Sequence, residues 1–145
     1  MAIVNSTGDK VLLGRKRRWP EHLFSCLAGF LEPGESIEDA VRREAWEESG
    51  VRVGRVVVHS SQPWPYPASL MIGCVGQALS AGRAEEIHLG HDPELHQAGW
   101  YPIAFVREML ARPALSLDQG PPEGFEQVLP PPLPLPHFFS FPPSL

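Results

Sequence analysis

Residues 29–51 read GFLEPGESIEDAVRREAWEESGV, and this stretch decides the fold. Glu32-Pro33-Gly34 is a turn. Ser36 follows, with Asp39 three residues on in capping-box spacing, so a helix starts at about Ile37. Gly50 supplies the stop, which gives a helix over 37–49. At about 100° per residue, Ile37, Ala40, Val41 and Ala45 form one apolar stripe. Glu44 and Glu48 fall within about 20° of its centre and Glu47 lies at its edge. Trp46 points the opposite way and gives the helix a second packing surface.

Carboxylates aimed at a core are expensive unless they are paired, protonated or bound to a cation. Arg43 can reach Glu47 at i,i+4, but one arginine does not neutralise Glu35, Glu44, Glu47 and Glu48 together. The bland reading is a solvated acidic helix with ion pairs along it. Three glutamates on or beside the apolar face, directly after a Gly/Pro turn, weigh against it. Clustered hard oxygen donors suit Mg²⁺ or Mn²⁺.

The spacing is Gly29, five residues, Glu35, seven residues, Arg43-Glu44, two residues, Glu47-Glu48, one residue, Gly50-Val51. It resembles a complete Nudix box, with small Ala45 at the aliphatic position after Glu44 as the mild departure. The resemblance implies an α/β/α sandwich with a mixed sheet, an α/β (α+β) fold, and metal-dependent hydrolysis of nucleoside diphosphates joined to another moiety. It also implies roles. Glu44, Glu47 and Glu48 hold Mg²⁺ or Mn²⁺, the Gly29 carbonyl adds a ligand, and Glu35 and Arg43 orient the set.

Ten residues past Gly50 the chain reads SQPWPYPAS, residues 61–69. Alternating prolines stiffen an extended segment that presents Trp64 and Tyr66. Flat rings stack on bases, and Gln62 offers an amide for hydrogen bonding. A rigid surface turn with aromatic packing is the plain alternative. The segment is similar to the SQPWPFPxS signature of the NADH pyrophosphatase subfamily, with Tyr66 in place of Phe and Ala68 at the free position. That likeness implies a substrate site containing Gln62, Trp64, Tyr66 and Ser69. It also gives Phe30 a base-stacking role and makes Glu94, in PELHQAGWY, a further metal ligand.

The implied activity is cleavage of the NADH or NAD⁺ diphosphate to nicotinamide mononucleotide and AMP, with removal of NAD caps from RNA as a linked activity. Two alternatives stand beside it. One is a Nudix hydrolase of ADP-ribose or diadenosine polyphosphates. The other is a truncated, non-catalytic Nudix domain that binds nucleotide. The implied partners are a small dinucleotide, NAD-capped RNA and a second copy in a homodimer, with no membrane.

The whole chain is consistent with this. Its 145 residues make one domain, and 43% are hydrophobic. A net charge of -5 does not attract phosphates unaided, so local cations or a metal must do so. Cys26 and Cys74 form no CxxC, so no zinc is expected, and two buried thiols in a reducing compartment are the simpler reading. No signal-peptide core or membrane-length apolar run is present. The chain is expected in the cytoplasm. The C-terminal Pro-Ser-Leu shares only its last residue with a peroxisomal signal, and peroxisomal relatives keep that second location open.

Elsewhere, AIV and KVLLG read as strands around a turn, RKRRWPEH as a basic loop, and FSCLAGF as a short strand. VRVGRVVVHSS and SLMIGCVGQAL are strands, and QPWPYP is not a central strand. HDPELHQAGWY is a loop entering a strand, and PIAFVREMLA a second helix begun by proline. His88, His91 and His96 are irregularly spaced, without a cysteine, and read as solvated loop side chains rather than a metal site. Arg15–Arg18 could contact phosphates or form a nuclear localisation patch, but a solvated basic loop is the preferred reading. The Nudix domain is assigned to 1–120. The segment 121–145 holds nine of the 17 prolines and is expected to be a disordered tail, with LPPPLPLP a weak polyproline ligand. The subfamily also carries an N-terminal domain, a zinc ribbon and a final amphipathic helix, which this sequence is expected to lack.

Overall fold

The computed structural model describes residues 1–111 of the chain. The Pro-rich segment 121–145, with its expected disorder, lies outside the described residues. Five strands form one mixed sheet: β1 (Ala2–Val4), β2 (Lys10–Lys16), β3 (Val53–Trp64), β4 (Ser69–Ala78) and β5 (Leu95–Pro102). Their order is β3-β4-β1-β2-β5. β1 runs parallel to β4, and the other pairings are antiparallel. Helix α1 (Ile37–Ser49) covers one face, and α2 (Ile103–Ala111) covers the other.

Alternation along the strands builds the two cores. Ile3 and Leu12 point to the α1 side, where Val41, Ala45, Val53, Cys74 and Leu95 meet them. Ala2, Val11 and Leu13 point to the α2 side and pack with Phe24, Val106 and Met109. The sandwich expected from the sequence is thus formed, with helices on both faces of a mixed sheet.

Helix α1 has the ends its sequence specifies. Ser36 Oγ accepts the Asp39 amide at 3.1 Å and donates to Asp39 Oδ2 at 2.7 Å. Such a cap contributes about 1 kcal/mol. Gly50 closes the helix at φ 74°, its amide donating to the Trp46 carbonyl at 2.7 Å. That left-handed conformation suits glycine.

Three expectations are corrected. FSCLAGF is not a strand: it meets β2 through a single bridge, Gly14 with Ser25. The place beside β2 is already taken by β1, and Phe24 and Leu27 turn into opposite cores. RKRR is not one exposed loop, because Arg15 and Lys16 belong to β2 and Arg15 is buried. Gln62, Pro63 and Trp64 lie in β3 rather than beyond it. β3 is an edge strand, where a proline costs no ladder bond, and the turn falls at residues 65–68. Cys74 is buried and Cys26 half-buried, and both are free.

Among the described residues no helix is long and apolar enough to cross a membrane.

Candidate functional site

The stripe Val41, Ala45, Glu48 faces the α1-side core, and Glu48 is only 1% exposed. Neither Glu48 carboxylate oxygen has a hydrogen-bond partner. A buried, unpartnered carboxyl group is costly when charged. Its pKa is accordingly pushed up to about 8, first by burial, then by the negative charges of Glu94 and Glu44, with Lys16 opposing. This single group identifies where the fold tolerates an electrostatic debt.

Around it the chain arranges a second set of carboxylates through Arg43. The guanidinium grips Glu35 with both arms, Nε to Oε1 at 2.8 Å and Nη2 to Oε2 at 3.0 Å. Its Nη1 donates to Glu44 Oε1 and to Glu47 Oε2, each at 3.0 Å. Nη2 also donates to the Phe30 carbonyl at 2.8 Å. One planar five-donor fork therefore ties the turn before α1 to three glutamates. The Arg43 charge holds Glu35 below the ordinary carboxylate range, and the glutamates raise Arg43 above its own.

The Gly29-Phe30 backbone closes over Glu44. A side chain at Gly29 would put its Cβ 1.9 Å from the Glu44 carboxyl carbon and displace that carboxylate. The Phe30 amide donates to Glu44 Oε1 at 3.1 Å. The Phe30 ring is left 85% exposed.

Glu94 enters from the loop before β5. It forms an ion pair with Lys16, and its amide donates to Asp92 Oδ1 at 3.1 Å. In the sequence Lys16 belongs to the basic run Arg15–Arg18, and its pairing with Glu94 is not among the expectations. The signal that could have found it is its place at the end of β2, two residues past the Gly14 that packs on Leu95.

Glu35, Arg43, Glu44, Glu47 and the Gly29-Phe30 backbone are thus tied together by hydrogen bonds, whereas Glu48 has no hydrogen-bond partner and Glu94 pairs with Lys16. They do not converge on one point. Among the described residues no three His, Cys, Asp or Glu side chains stand close enough together to enclose an ion. Arg43 binds Glu44 and Glu47, and Lys16 pairs with Glu94. The donor chemistry still fits a hard divalent cation, because Glu48 has two free buried oxygens and the Glu44 carboxylate packs against the Gly29-Phe30 backbone.

The second motif occupies the β3–β4 hairpin. Trp64 pairs with Ser69 and Gln62 with Met71. Tyr66 sits at the tip, 86% exposed, and its bond to Pro67 is cis. Gln62 Oε1 is buried without a partner. None of the Gln62, Trp64, Tyr66 or Ser69 side chains hydrogen-bonds to the glutamate cluster. His88 and His91 meet edge to face at 5.0 Å, and His91 stacks on Trp46, whereas His96 is exposed on β5.

Comparison with known proteins agrees with this geometry. A NUDIX domain model matches residues 1–119. The chain is 49% identical over 112 residues to the human protein named NAD-capped RNA hydrolase NUDT12, covering 77% of this chain and 23% of that one. It is 44% identical over 132 residues to the NAD-capped RNA hydrolase of Schizosaccharomyces pombe, covering 91% and 32%. Against NAD-capped RNA hydrolase NudC of Mycobacterium bovis it is 43% identical over 111 residues, covering 77% and 34%. The chain therefore spans only a quarter to a third of the length of these relatives. Among solved structures it is similar to a NUDIX hydrolase from Nitrosomonas europaea, at 29% identity and a TM-score of 0.53, covering 74% of this chain and 73% of that one. With the domain model matching most of its length and the glutamate helix in place, the chain belongs to the NUDIX family.

Proposed function

We propose that this chain is a metal-dependent pyrophosphohydrolase that cleaves the diphosphate of NADH or NAD⁺ into nicotinamide mononucleotide and AMP. The observation that carries the chemistry is Glu48, a buried carboxylate with both oxygens unpartnered beside two more glutamates. The dinucleotide preference is supported by the SQPWPYPAS hairpin and by relatives whose names specify NAD-capped RNA. Those names favour NAD-capped RNA as a second substrate with the same scissile bond.

In this reading Glu44, Glu47, Glu48, Glu94 and the Gly29 carbonyl hold Mg²⁺ or Mn²⁺. When bound, the metal neutralises diphosphate charge and makes a water more acidic. The chain's own residues do the rest. Arg43 fixes the rotamers of Glu44 and Glu47 and is itself fixed by Glu35, which leaves less to order when cation and diphosphate bind. Glu48, buried and without a hydrogen-bond partner, must lose its proton for a cation to bind beside it, which ties its ionisation to cation binding. Phe30, Trp64 and Tyr66 present ring faces to the bases, and Gln62 and Ser69 supply polar contacts. We extend the domain assignment 1–120 to this reading, with a homodimer as its assembly.

The test is product identification from NADH with Mg²⁺ or Mn²⁺. Nicotinamide mononucleotide and AMP in equal amounts support the reading. A panel ranked by kcat/KM in which ADP-ribose or diadenosine polyphosphate leads would replace the substrate assignment.

A further inference from the structure

Helix α2 covers only part of its face of the sheet. Its Val106 and Met109 pack over Ala2, Val11 and Leu13, which belong to β1 and β2. Beyond β1 the sheet continues through β4 to the edge strand β3. Val75 lies opposite Ala2 and Val57 lies opposite Val75, so both share the α2-side face with Ala2. Met71 stands on that face too, because its neighbour Ile72 turns into the α1-side core. Val57 and Met71 are 42% and 38% exposed, and among the described residues neither core reaches this apolar strip.

The strip is also of one charge sign. Between Glu48 and Glu85 the chain has no Asp or Glu, but it carries Arg52, Arg55 and Arg83. Arg55 precedes Val56, which packs on the α1-side core, so Arg55 stands on the α2 side with Val57. Arg55 is exposed and forms no ion pair among the described residues.

We infer that residues 115–129, LSLDQGPPEGFEQVL, dock on the Val57–Met71–Val75 strip and complete the α2-side layer. The segment starts four residues past Ala111, where α2 ends on that same side. β1 and β3 are two strand spacings apart, about 10 Å, and a segment of this length reaches about 50 Å when extended. Leu115, Leu117, Phe125, Val128 and Leu129 supply apolar side chains, and Pro121-Pro122 lowers the entropy lost on ordering. Asp118, Glu123 and Glu126 bring acids, with no Lys or Arg in the segment, to a strip that carries Arg55. A second copy seated on the same face would instead set one cationic strip against another. The strip lies on the sheet face away from α1, so the inference is independent of the metal reading. It excludes a disordered tail over 121–129.

The experiment is photo-cross-linking of the full chain carrying Met71→benzoylphenylalanine, with Val57→benzoylphenylalanine as a second protein and circular dichroism showing that each is folded. Cross-links mapped by mass spectrometry should join the probe to residues 115–129 of the same chain, with a yield that does not change with protein concentration. Joint replacement Phe125→Ser, Val128→Ser and Leu129→Ser should abolish them, and Arg55→Glu should weaken them. Cross-links between two copies, rising with concentration, would give the face to a dimer and overturn the inference. Absence of cross-links to 115–129 in both probe proteins would overturn it as well. So would cross-links scattered over 112–145 that survive the triple replacement, the pattern of a disordered tail.

Discussion

The indole of Trp46 stacks on the imidazole of His91, with ring centroids 4.3 Å apart and planes 24° apart. Trp46 stands on the outer side of α1, opposite Glu48, and His91 lies in the loop that leads to Glu94. The stack therefore fastens the loop to the helix whose carboxylates it joins. Trp46→Ala should cost about 1 kcal/mol beyond lost burial. In thermal melts the midpoint should fall by a few degrees, with Mn²⁺ affinity reduced in parallel. Trp46→Phe should recover most of both. An alanine variant with wild-type metal affinity would show that the loop is held elsewhere.

Arg43 should not tolerate lysine. Its five donors serve Glu35, Glu44, Glu47 and the Phe30 carbonyl together. An ammonium cannot keep that geometry. Arg43→Lys is expected to lower kcat by about a hundredfold, with KM for NADH within a few-fold of the original. A chemical-denaturation midpoint that moves modestly while kcat collapses would separate orientation from stability. Full activity in the lysine variant would contradict the role.

Gly29→Ala is a sharper steric probe. The added Cβ would lie 1.9 Å from the Glu44 carboxyl carbon, so Glu44 must move or the backbone must. The atoms met are the tip of a flexible side chain, so the Glu44 carboxylate should swing aside at the low end of the about 1–3 kcal/mol that overpacking costs. Loss of Mn²⁺ binding in a folded Gly29→Ala protein would place Glu44 in the ion's surroundings. Retained binding would remove it from them.

The raised pKa of Glu48 makes a prediction about the metal-free protein. Its ordinary value is 4.5 and the folded value about 8, so the folded state keeps a proton that the unfolded state releases. Unfolding free energy should therefore fall as pH rises from 4.5 to about 8 and level off above that. Metal binding must expel the same proton, so stabilisation by Mn²⁺ should grow across this window. Glu48→Gln should flatten both trends. Denaturant titrations at several pH values, with and without Mn²⁺, would read them. An unchanged slope in the glutamine variant would assign the proton to another group.

Much of this was legible before any coordinates. The cap, stop and stripe of α1 are local signals, and helical periodicity alone put Glu48 in the core. The alternation of β1 and β2 and the edge character of the proline-bearing segment follow from similar rules. What failed depended on long-range competition. FSCLAGF has strand-like residues, but the neighbouring place on β2 belongs to β1. The pairing of Lys16 with Glu94 is not legible, because it needs a one-residue slip between strands almost eighty residues apart. Arg15 read as a solvated cation because charge patterning does not reveal which side of a strand is covered. Phe30 was read for its ring, whereas its backbone makes the recorded contacts, to Glu44 and Arg43.

The most direct measurement is turnover of NADH by Glu48→Gln beside the unaltered chain, with Mg²⁺ or Mn²⁺ present and products separated by chromatography. The account predicts nicotinamide mononucleotide and AMP from the unaltered chain, at least about a hundredfold less from the variant, and weakened Mn²⁺ binding in the same protein. Equal turnover and equal Mn²⁺ affinity in the two proteins would contradict it.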